Sequence, residues 1–125
     1  MRNEIFGWCL ITFGFLSGML LGLYFDREAW LGGYASYRRR LIRLGHIALL
    51  GLGILNILFD VSRPRLGLPA GQVQLAGAAM MIGGISMPLC CAAAAWRPAL
   101  KPLFAVPVIS LIAAGVTVIR GLGGP

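Results

Sequence analysis

Charged residues along this chain cluster between long uncharged stretches, the pattern of segments that cross lipid. The first uncharged run is Ile5 to Phe25, bounded by Glu4 and Asp26. At about 1.5 Å of rise per residue it matches a hydrocarbon core roughly 30 Å thick. It is longer than the apolar region of a cleaved leader, and no A-x-A pattern follows Phe25, so it reads as a retained helix. The second run is Leu41 to Phe59, with Arg43 close enough to its boundary to snorkel back to the headgroups. The third, Leu66 to Trp96, is too long for one span; Pro69, Gly71, Gln72 and Gln74 read as a loop and helix entry. The fourth is Pro102 to Ile119. The pattern therefore predicts an all-α membrane protein. It is a bundle of four transmembrane helices at about 5–25, 41–59, 73–96 and 103–119, in one domain over 1–125.

The connections are short. The first, Asp26 to Arg40, sets Trp30, Tyr34 and Tyr37 beside Arg38, Arg39 and Arg40. The third, Arg97 to Lys101, forces its two helices to be antiparallel neighbours. None has room for a soluble catalytic domain, so any chemistry belongs in the bundle or at its rim.

Composition agrees: 58% of the 125 residues are hydrophobic and 12% charged, against about 25% charged in soluble domains. The net charge of +7 comes from 11 Lys and Arg over 4 Asp and Glu. These cations lie at helix ends, where anionic headgroups and the positive-inside rule account for them without nucleic acid. The first and third loops carry Arg27, Arg38, Arg39, Arg40, Arg43, Arg97 and Lys101, and the opposite side Arg2, Arg63, Arg65 and Arg120. That bias places both termini on the non-cytoplasmic side of what is expected to be a bacterial cytoplasmic (inner) membrane. Arg38, Arg39 and Arg40 are expected to touch lipid headgroups or an acidic partner.

Glycine is the main packing signal. Gly14, Gly18 and Gly22 form two overlapping G-x-x-x-G steps on the first helix, and Gly53 and Gly83 supply small positions on the second and third. Lipid gives apolar helices no hydrophobic reason to associate, so close backbone approach must do it. The groove suits a helix of the same chain, a partner subunit or a flat cofactor. Cys9, Cys90 and Cys91 all lie in apolar segments and read as small apolar fillers rather than a disulfide framework.

Coupled transport generally needs a membrane-embedded carboxylate, and Glu4, Asp26, Glu28 and Asp60 all flank the spans. No zinc-hydrolase, phosphate-loop or Ser-His-Asp pattern is visible, so catalysis is not expected. His46 is the one ionisable group deep in a span, on a face with Arg39, Arg43, Leu50 and Gly53 and with Asp60 on its margin. Asn56 reads as an interhelical hydrogen bond. At the depth of His46, Met19 or Gly18, Cys91 and Pro107 lie on the other helices, and Met87 shares a stripe of the third with Cys90 and Cys91. Imidazole, thioether and thiolate suit copper or a haem axial position.

Two functions follow. One is an accessory or structural subunit that packs against other membrane subunits or itself. The alternative is a small redox protein holding haem b through His46 and Met87, or copper through His46, Cys91 and Met19. A purely structural His46 with no cofactor is the plainer form of the first.

Overall fold

A computed structural model describes residues 2–124. Four helices follow the four apolar blocks: α1 Arg2–Leu23, α2 Tyr37–Ser62, α3 Ala70–Trp96 and α4 Ala105–Leu122. With the Pro98–Phe104 turn counted into the last, each is long and apolar enough to cross a membrane, and no strand occurs among the described residues. The fold is a four-helix transmembrane bundle, as the hydropathy pattern implies.

The helix ends differ from expectation where polar chemistry sets them. α2 begins at Tyr37 rather than near Leu41 because Ser36 caps it: the Ser36 hydroxyl accepts from Arg39 N at 3.2 Å and donates to the Leu31 carbonyl at 2.8 Å. Arg38, Arg39 and Arg40 therefore stand in the first turn of a helix, not in a loop. Leu31, Gly32 and Gly33 all have positive φ, at 55°, 87° and 100°. The two glycines take this left-handed backbone at little cost, and it is what turns the chain back toward Ser36. Pro98 and Pro102 hold Pro98–Phe104 in a tighter 3-10 turn, so α4 proper starts at Ala105 and runs on to Leu122.

The helices pack in chain order, α1 on α2, α2 on α3 and α3 on α4, and α1 meets α3 only narrowly. The start of α1, the end of α4 and the second loop share one end of the bundle, where Gly67 N donates to the Gly121 carbonyl at 3.1 Å. At the other end the Lys101 ammonium lies 5.0 Å from the centre of the Tyr37 ring, joining the third loop to the start of α2.

Backbone contact fixes the α1–α2 crossing. A Cβ on Gly7 would come within 2.5 Å of the Gly53 carbonyl, and one on Gly53 within 2.8 Å of the Gly7 carbonyl. Phe59, Leu66, Ala76, Met80 and Ala114 form a core joining α2, α3 and α4. Outside it, α4 presents Val108, Ile109, Ile112, Val116 and Ile119 outward, a face suited to lipid.

Candidate functional site

The narrow α1–α3 contact leaves a cleft whose floor is α2. One part, of about 390 Å³, is lined by Ser17 and Leu20 of α1, Gly45, His46 and Leu49 of α2, Pro88 and Ala92 of α3, and Tyr24 and Trp30 of the first loop. A second part, of about 520 Å³, shares Ser17, Leu20, Leu49 and Pro88 with the first and continues to Phe13, Cys9 and Phe6. No charged side chain lines either part.

His46 is the imidazole of this cleft, whose other polar side chains are Ser17, Tyr24 and Trp30. Its Nδ1 lies 2.9 Å from the Ser17 hydroxyl, which in turn lies 2.8 Å from the Gly14 carbonyl. Gly18 makes the room: a Cβ there would fall 2.8 Å from His46 Cε1. A serine hydroxyl has one proton. That proton goes either to the Gly14 carbonyl, with Nδ1–H donating to Ser17, or to Nδ1 itself, so the imidazole tautomer and the hydroxyl are set together. Nε2, the other ring nitrogen, has no hydrogen-bond partner among the described residues.

The other ligand candidates are not gathered here. Met19 is 59% exposed on the outer face of α1, and Cys91 is fully buried behind Gly45, whose Cβ would meet it at 3.2 Å. Met87 is half-buried and, like Met19 and Cys91, absent from the cleft wall. Equal depth along an axis does not bring side chains together when their helices turn them to different faces. No cluster of three His, Cys, Asp or Glu suited to a metal ion occurs among the described residues. His46 alone would give haem one axial nitrogen, with no cation in the cleft for its carboxylates.

Of the glycines expected on the α1 stripe, Gly14 and Gly18 lie at the α1–α2 contact and Gly22 does not. Gly14 lies against Leu50 and Gly18 against His46, but nothing lies within 4 Å of a Cβ on Gly22. The packed stripe is Gly7, Gly14 and Gly18; Gly22 stands in the last turn of α1, beyond the contact. Gly53 and Gly83 are crowded, the second by Leu111.

The arginine triplet divides. Arg38 and Arg40 are exposed, but Arg39 is only 3% exposed. Its guanidinium donates to the carbonyls of Phe25 at 2.9 Å and Arg27 at 3.1 Å, and it lies 5.0 Å from the Tyr34 ring centre and 5.6 Å from that of Trp30. Arg39 thus satisfies carbonyls that the end of α1 leaves free, and it is not a headgroup contact. Trp30 is in turn stacked on Tyr24 at 5.0 Å, so Arg39 also steadies the aromatic wall of the cleft.

A polar cluster lies at the opposite end of the bundle. Asn3 is 1% and Asn56 0% exposed. The Asn3 amide donates to Asn56 Oδ1 at 2.9 Å and to the Gly77 carbonyl at 2.8 Å, tying α1 to α2 and α3 at once. Asn56 donates to the Leu52 carbonyl at 2.9 Å. Below it, Glu4 N donates to Asp60 Oδ2 at 2.9 Å, and Arg63 Nη1 lies 3.4 Å from Asp60 Oδ1. The sequence signals Asn56 as a polar residue within a span, whereas Asn3, so near the chain start, carries no such signal.

The chain matches no family model, no curated protein and no solved structure. Its function rests on its own geometry.

Proposed function

We propose that this chain is a non-catalytic accessory subunit of a membrane complex, packing its apolar helices against those of partner subunits. The supporting observation is a set of helical glycines with nothing beside them. Gly51 of α2 and Gly115 of α4 meet nothing within 4 Å where a Cβ would be. Glycine inside a helix is about 0.8–1.0 kcal/mol less favourable than alanine, and in membranes small residues serve close helix approach. Inside this chain Gly7, Gly14 and Gly53 serve that end; Gly51 and Gly115 offer equivalent notches to helices of another subunit. The basic residues at the end shared by loops one and three orient the chain with both termini outside.

The test separates partner contacts from internal ones. Gly51→Leu and Gly115→Leu have room to fold and are expected to keep the helix content and melting behaviour of the parent. Both are expected to reduce the mass of the native complex isolated in mild detergent. Unchanged complex mass in both variants would refute the accessory reading.

The haem or copper reading has one supporting feature, the unpartnered Nε2 of His46. Because Met19, Met87 and Cys91 lie off the cleft, the residues present do not fit a copper site or a two-ligand haem.

A further inference from the structure

A separate cavity, of about 270 Å³, lies at the end of the bundle that holds the Asn3–Asn56 cluster. Arg2 and Asn3 of α1, Arg63 just after α2, and Gln74, Ala78 and Met81 of α3 line it. Unlike the uncharged cleft it carries two arginines, and neither nearby carboxylate, Glu4 or Asp60, is part of its wall. The donors of this wall are uncommitted. Arg39 gives its guanidinium protons to main-chain carbonyls, but Arg63 keeps one long ion pair, Nη1 to Asp60 Oδ1 at 3.4 Å. Its Nε is closed to water and bonds to nothing among the described residues. Arg2 and Gln74 are exposed, and neither has a hydrogen-bond partner among the described residues. Asn3 commits both amide protons to Asn56 and Gly77, so it adds no donor.

Away from the arginines the wall turns apolar. Gln74, Ala78, Met81 and Ile85 recur at steps of four, three and four residues, so they form one stripe of α3. Ala78 is exposed, Met81 half-buried and Ile85 48% exposed, so the stripe is open to an occupant along its length. From Gln74 to Ile85 it runs about 16 Å, close to half the thickness of a hydrocarbon core. A set of cationic donors therefore heads an apolar track one leaflet deep.

Each feature narrows the occupant. Guanidinium forks match the oxygens of a phosphate, and such charge-assisted bonds are among the strong ones. A free anion would use the donors but leave Ala78, Met81 and Ile85 uncovered. A zwitterionic lipid would bring its own cation against two arginines. We propose that this cavity binds an anionic phospholipid, its phosphate held by Arg2 and Arg63 with the Gln74 amide donating, and one acyl chain lying along Ala78, Met81 and Ile85. The inference is independent of the accessory-subunit reading, and the site is at the opposite end of the bundle from Arg38 and Arg40.

The experiment titrates the full chain in mild detergent with phosphatidylglycerol, or with phosphatidylcholine of the same acyl chains, and reads the bound lipids by native mass spectrometry. The tightest adduct is expected to be phosphatidylglycerol. A basic residue beside an anionic surface contributes roughly fivefold, so Arg2→Gln and Arg63→Gln should each weaken that adduct by about this factor, and the pair by about 25-fold. Ala78→Leu, which blocks the apolar wall but keeps both arginines, should weaken it as well. The double variant Arg38→Gln/Arg40→Gln should leave it unchanged. Equal binding of the two lipids, or a preference lost in the Arg38/Arg40 variant and kept without Arg2 and Arg63, would overturn the proposal. So would displacement of the lipid by inorganic phosphate together with indifference to Ala78→Leu, because the occupant would then be a free anion. If Arg63→Gln left lipid binding intact but lowered the mass of the native complex, the arginine would meet an acidic partner chain, and the proposal would fall. Should Arg63→Gln fail to fold, the exposed pair Arg2→Gln/Gln74→Leu replaces it, and unchanged phosphatidylglycerol affinity there would equally overturn the site.

Discussion

Replacing Asn56 by alanine removes the acceptor of one Asn3 amide proton from a place with no access to water. Asn56 is wholly buried, and the Asn3 amide bridges it at 2.9 Å and Gly77 at 2.8 Å. In the variant the Gly77 bond remains, but one amide proton is stranded. Interhelical hydrogen bonds in membranes average about 0.6 and reach about 1.7 kcal/mol. A stranded buried donor adds to this, about 1–3 kcal/mol in all. Asn56→Ala is therefore expected to lower stability by about 2 kcal/mol, read by reversible SDS unfolding in mixed micelles. Asn3→Ala should cost a similar amount. The double variant should fall short of the sum of the two, because donor and acceptor leave together: a coupling of about 0.6–1.7 kcal/mol leaves a loss of about 2.3–3.4 kcal/mol. Asn56→Asp keeps the acceptor but puts a carboxylate in the span, and should be worse than alanine. An Asn56→Ala loss under about 0.3 kcal/mol, or strict additivity in the double variant, would refute the idea that this cluster latches three helices.

Other consequences are quickly checked. Gly14→Leu should disrupt the α1–α2 pair, since even its Cβ would fall 2.5 Å from Leu50 Cδ2, whereas Gly22→Leu should leave it intact; SDS-unfolding midpoints compare them. Arg39→Gln should weaken the first loop by at least about 1.5 kcal/mol locally and speed protease cleavage near Glu28, with Arg38→Gln and Arg40→Gln close to the parent. A cysteine placed at Arg65 should react with an impermeant thiol reagent from outside, and one placed at Glu28 should not, if the basic bias sets the orientation.

The number, type and approximate limits of the helices were legible because long apolar blocks admit few structures in lipid. The helix limits shifted where a side chain overrides hydropathy: Ser36 starts α2 ahead of the apolar run, and Arg39 turns inward to the carbonyls ending α1. His46 stands out by residue type, and its place opposite Gly18 agrees with the depth matching of α1 and α2. Its partner Ser17 was not legible, since a serine in a glycine-rich helix looks like any small packing residue. Met19 and Cys91 share its depth but face elsewhere, because depth comes from counting residues while facing depends on how the helices are rotated in the bundle. Asn3 was missed for a related reason: a polar residue near a chain start reads as solvated until α3 is seen to cover it.

The accessory role is tested most directly by the native mass of the chain extracted with its surrounding lipid into polymer discs from its own membrane. One chain is 13.3 kDa. The account predicts a discrete larger assembly of fixed stoichiometry, in which cross-links from positions beside Gly51 and Gly115 reach a second polypeptide. A single 13.3 kDa chain carrying only lipid, with no cross-link from either notch, would contradict it.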